Sequence, residues 1–94
     1  MVQIRIGIKE AARKEISRMA RIIPKVKLAS ENLEAEKVLL LANFYFSDSK
    51  HFLERGAFVE AFEAAVISWG YVDAGLHLGA FSVPEEEKGN FTVG

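Results

Sequence analysis

Gly56 separates two runs of helical spacing, and no other feature of the chain narrows its fold as much. After it, Phe58, Phe62, Ala65, Trp69, Val72, Leu76 and Gly79 recur in alternating steps of four and three. That is the spacing of a seam that packs antiparallel against another helix at a shallow angle. Ala61, Ser68 and Gly75 form a line of small residues beside the seam, which lets two backbones come close. A glycine between such runs supplies the left-handed backbone that commonly ends a helix. The two runs are therefore expected to form a helical hairpin, a unit that presents surfaces rather than chemistry.

The remaining elements follow from the same spacing. Ile8, Ala12, Ile16, Met19 and Ile23 make one stripe, so a first helix is expected over residues 8–23, ended by Pro24. Residues 24–29 read as a connector. Ser30 is the expected N-cap of a second helix over 30–55, with Glu31 and Glu34 near the positive end of its dipole. At about 1.5 Å per residue this helix is roughly 39 Å long. The third helix is expected over 57–80. Val2, Ile4, Ile6 and Ile8 alternate with Gln3, Arg5 and Gly7, which suggests either an extended arm over 1–7, with Phe91 to Val93 as its strand partner, or the frayed start of helix 1. The segment 82–94, with Pro84 and three consecutive glutamates, reads as a flexible acidic tail. The expected fold is all-α: one domain, an up-and-down three-helix bundle with a long antiparallel helix 2–helix 3 hairpin.

Composition removes several chemistries. The 94 residues contain no cysteine, so disulfides, cysteine zinc sites and thiol nucleophiles are excluded. Half the residues are hydrophobic and 27% are charged, a globular mixture. No apolar run approaches the ~20 residues of a membrane span, and no secretory leader is visible, so a cytoplasmic protein is expected. Charge is unevenly placed. Residues 1–29 hold eight basic and two acidic side chains, and residues 30–94 hold four and eleven. The plain reading is a basic first helix docked on acidic later ones.

Within the hairpin, Asp48, Phe52-Leu53, Gly56, Ala61, Gly70, Asp73-Ala74-Gly75 and Leu78-Gly79 resemble the pattern of a small archaeal family catalogued as domain of unknown function number 357. The resemblance covers about a third of the chain well and the preceding helix loosely. It implies a compact helical bundle and no known activity, so it implies no catalytic residue. The chain departs from the pattern at Ala57, where an acidic cap is common, and at Ser49, where alanine is usual. The segment around Gly56 also resembles the middle of a tetratricopeptide unit, but no second copy lies one repeat length away.

Few residue patterns in the chain suit catalysis. Asp48 and His51 stand three apart, and Asp73 and His77 four apart, so each pair shares a helix face that suits a metal. In a hairpin turning at Gly56, Asp48 lies opposite about Ala64 and Asp73 opposite about Leu39, which separates the pairs by roughly 13–20 Å. One ion cannot join them within one chain, and only a dimer brings them together. No metal or cofactor is expected, and Asp48 and Asp73 read as partly buried polar residues bonded to a neighbouring element. Ser68 has no base beside it, and no phosphate-binding glycine loop appears. Small helical ribonucleases of the HEPN type carry an arginine followed by histidine four to six residues on, a spacing absent here.

Two surfaces remain. Lys14, Arg18 and Arg21 fall close together on helix 1, a ridge able to contact nucleic-acid phosphates. Val38 to Phe46 is apolar on nearly every side, whereas a bundle helix should keep one wet face. Either the N-terminal arm or the tail covers this run, or Leu39, Leu40, Phe44 and Phe46 are the candidate interface for a homodimer or another protein partner. The leading expectation is a non-enzymatic interaction and oligomerisation module. The second is a nucleic-acid accessory protein, and the third a metal-dependent enzyme assembled across a dimer.

Overall fold

The computed structural model describes residues 7–93. The proposed 1–7 arm, and its pairing with the C-terminus, therefore lie almost wholly outside the described residues. Three long helices make the fold: α1 (Ile8–Ile22), α2 (Leu33–Glu54) and α3 (Phe58–His77). Antiparallel α2 and α3 form the closest-packed pair, and α1 lies against one side of that layer. The expected three-helix architecture and hairpin are present.

The hairpin closes through small residues. Ala35, Ala42 and Ser49 recur every seventh position on α2 and are buried. Ala61, Ser68 and Gly75 do the same on α3. With so little side chain between them, the backbones approach until the Ser68 hydroxyl donates to the Ala42 carbonyl at 2.7 Å. Ala12 and Ile16 of α1 pack on Ala61 and Ala65, with Phe46, Phe52, Leu53 and Phe62 around them. Met19, Ile22 and Val26 join Ala42, Val72 and Phe81 in the larger core.

Helix ends follow local chemistry. Asn32, not Ser30, caps α2: its side-chain oxygen accepts from the N–H groups of Glu34 and Ala35. The helix therefore begins three residues later than expected. Gly56 has φ +77°, and the N–H of Ala57 bonds to the Phe52 carbonyl while that of Gly56 bonds to Leu53. Gly79, expected inside helix 3, ends it in the same way at φ +71°, with Ala80 bonded to Gly75 and Gly79 to Leu76.

The largest departure is at the C-terminus. Residues 82–93, expected as a flexible solvated tail, pack against the bundle. Phe81–Ser82 (β2) pairs antiparallel with Lys27–Leu28 (β1), inside the expected connector. A short 3-10 turn follows over Glu85–Asn90. Phe81, Val83, Glu87 and Phe91 are buried. Phe91 stacks on Trp69, ring centroids 5.9 Å apart, and the Trp69 indole N–H donates to the Asn90 carbonyl at 2.8 Å.

Candidate functional site

On α2, the apolar run divides between core and solvent. Leu39 and Phe46 pack against the core under α1, so these two expected interface residues are spent inside the chain. Leu40 and Phe44 point outward, 55% and 57% exposed, with Leu33 at 65% on the same face. Successive turns of one helix thus carry large side chains that meet water. Isolated exposed leucines are ordinary, but an aligned set on one face is the pattern of a contact surface.

A second surface lies on the side of the hairpin away from α1. There Tyr45 and Phe52 of α2 and Ala64 and Ile67 of α3 floor an open groove of about 300 Å³. Asp48, Glu60 and Glu63 form its rim. None of these carboxylates has a cationic partner within ion-pair distance among the described residues. Tyr45 also stacks on Tyr71, centroids 5.7 Å apart, which continues the apolar floor along α3. Asp48 is exposed, not part-buried as expected, because it stands at the rim of a groove rather than under a neighbouring element. Asp48 and Ala64 both line this groove.

Asp73 is hydrogen-bonded to the C-terminal segment. One carboxylate oxygen accepts the Thr92 N–H at 2.9 Å and the other accepts the Thr92 hydroxyl at 2.7 Å. His77 also reaches the Thr92 hydroxyl. The Asp73/His77 pair thus fastens the C-terminal segment to α3. Among the described residues, no three histidine, aspartate or glutamate side chains converge as metal ligands.

The basic ridge of α1 is largely engaged within the chain. Arg18 pairs with Glu15 and lies over the Trp69 ring at 5.8 Å. Arg21 and Lys25 both bind Glu87, at 3.3 Å and 2.8 Å. Hydrogen bonds from Lys25 and then Arg21 hold the Glu87 carboxyl below its ordinary pKa, with their positive charges adding to the effect and burial opposing it. Of the three expected phosphate contacts, Lys14 alone stands exposed without an ion-pair partner among the described residues. The groove was missed from the sequence, although Tyr45, Asp48, Phe52 and Glu60, Ala64, Ile67 each repeat in steps of three and four. No described helix is long and apolar enough to cross a membrane.

A family model described as "Protein of unknown function (DUF357)" matches residues 8–81. The C-terminal segment described above lies beyond that match. Among solved structures, the chain is similar to a crystal structure of a protein from the archaeon Archaeoglobus fulgidus assigned to the same family. The two are 26% identical, with a TM-score of 0.70, over 81% of this chain and 92% of the other. No curated protein matches.

Proposed function

We propose, from the premise that this chain belongs to the DUF357 family, that it is a cytoplasmic, non-enzymatic interaction module that self-associates through the outer face of α2. The observation that carries this reading is the exposure of Leu40 and Phe44 on adjacent turns, with Leu33 aligned beside them. Burying such side chains against a second copy removes apolar surface from water, at roughly 25 cal/mol per Å². A two-fold contact brings the same face of each copy together, so one stripe is enough for closure.

Light scattering on the intact chain tests this. A dimer is expected, and Leu40→Glu or Phe44→Glu is expected to give a monomer of unchanged helicity. A monomeric wild type at tens of micromolar refutes self-association. Nucleic-acid binding by Lys14, Arg18 and Arg21 is the lesser reading, because two of those three side chains already have partners within the fold.

A further inference from the structure

We infer that the groove between α2 and α3, on the side opposite α1, docks a basic amphipathic helix from a partner protein. This deepens the interaction-module reading and rests on it, but it uses a different face from Leu40 and Phe44.

The argument begins with what the α2/α3 layer already does. On one side it takes a helix, α1, whose apolar residues Ala12 and Ile16 settle on Ala61 and Ala65. On the other side it offers a similar trough with no occupant among the described residues. The apolar positions of that trough keep helical register on both walls: Leu41, Tyr45 and Phe52 on α2, and Ala64, Ile67 and Tyr71 on α3. Leu41 and Ile67 are 40% and 42% exposed, so apolar surface is left in water. A helix laid into such a trough engages it through side chains at i, i+3, i+4 and i+7. The volume, about 300 Å³, is at the low end for small-molecule pockets, which run from about 300 to 1,000 Å³. An open trough of this size suits a row of side chains better than an enclosed cofactor.

Charge selects the occupant. Asp48, Glu60 and Glu63 surround the turn end of the trough, without a cationic partner among the described residues. Glu10, Glu31, Glu36, Glu54 and Glu86 also stand outside the ion pairs among the described residues, but none of them lines this trough. What sets Asp48, Glu60 and Glu63 apart is their place around one apolar floor. A helix that places lysines or arginines beside its apolar stripe relieves the repulsion among the rim carboxylates and gains complementary contacts. An acidic helix adds to that repulsion. A second copy docked by the same face would set acidic rim against acidic rim, so the groove disfavours self-association.

Fluorescence anisotropy of labelled helical peptides, titrated with the intact chain, tests the inference. One peptide carries leucine at i, i+3, i+4 and i+7 with lysine elsewhere, and its counterpart replaces lysine by glutamate. The leucine/lysine peptide is expected to bind, more weakly as salt rises, and the leucine/glutamate peptide is not. Glu60→Lys combined with Glu63→Lys, or Ile67→Asp alone, is expected to weaken binding about tenfold or more, which is about 1.4 kcal/mol. Ile67→Ala is the milder variant should Ile67→Asp disturb folding. Reversal of Glu36 and Glu54, on the opposite side of α2, is expected to leave binding unchanged.

Equal binding of both peptides overturns the proposal, as does an equal loss on reversing Glu36 and Glu54. So does conversion of a wild-type dimer to a monomer by Ile67→Asp, because that makes the groove the self-interface. A monomeric wild type that still binds the leucine/lysine peptide at the groove keeps this inference and removes only the self-association through α2.

Discussion

The Ser68 hydroxyl on α3 donates to the backbone carbonyl of Ala42 on α2, 2.7 Å away, with both residues fully buried. A serine reaches a neighbouring helix's backbone only where no larger side chain intervenes. The bond therefore measures how closely the hairpin is packed. Ala42 retains its place in the α2 hydrogen-bond ladder, so removing the serine donor leaves no orphaned carbonyl. Ser68→Ala is expected to cost about 1 kcal/mol of unfolding free energy. Ser68→Leu is expected to cost about 1–3 kcal/mol, because it forces the helices apart. Urea unfolding followed by far-UV circular dichroism distinguishes the two.

Gly75 continues the same line of small residues but faces a different neighbour. A β-carbon at this position would overlap the ring of Phe81, which is itself buried. Alanine favours a helix over glycine by about 1 kcal/mol, yet overpacking costs about 1–3 kcal/mol. Gly75→Ala is therefore expected to destabilise. Its penalty is expected to shrink in a Phe81→Leu background, where the ring no longer fills the space. A double-mutant cycle checks this, since neighbouring sites in contact depart from additivity by about 0.5–3 kcal/mol. Additive single effects contradict the direct clash.

These two sites show what was legible in the sequence. The line Ala61, Ser68, Gly75 and the turn at Gly56 were readable because helix period and glycine geometry are local properties. The partner line Ala35, Ala42, Ser49 was hidden inside a run so apolar that it has no obvious face. The packing of Val83 and Phe91 was not legible either. It depends on the β1–β2 pair, on Trp69 and on the Glu87 cluster, which join residues more than 20 positions apart. The groove went unseen for a related reason: Asp48, Glu60 and Glu63 read as solvated charges until the hairpin sets them round one trough. Leu39 and Phe46 could not be told from Leu40 and Phe44 by composition, since only the position of α1 decides which pair it covers.

Glu87 ties the C-terminal segment to Arg21 and Lys25, and it does so most strongly when ionised. Its folded pKa lies below the ordinary value of 4.5, because Lys25 and Arg21 favour the charged form. A depressed carboxyl pKa contributes stability that is fully present above the unfolded value and is lost as pH falls through the folded value. Glu87→Gln removes that contribution. The wild type is therefore expected to be more stable than Glu87→Gln at pH 7, with the gap closing on acidification below about pH 4.5. Urea midpoints measured across pH 3–7 check this. A gap that widens in acid reverses the sign and contradicts the ion cluster.

Gly56 and Gly70 isolate the backbone contribution, because a β-carbon at either meets nothing within 4 Å. Gly56 sits at φ +77°, where an alanine is strained whatever the space around it. Gly56→Ala is expected to cost roughly 1–2 kcal/mol, and Gly56→Asn less, since asparagine tolerates that region. Gly70 lies inside α3 with ordinary helical geometry. There alanine restricts the unfolded chain without a steric penalty, and Gly70→Ala is expected to stabilise by about 0.4–1 kcal/mol. Thermal unfolding of the two variants should therefore move the midpoint in opposite directions. A loss of stability in Gly70→Ala contradicts the open space around this position and the entropic gain expected from it.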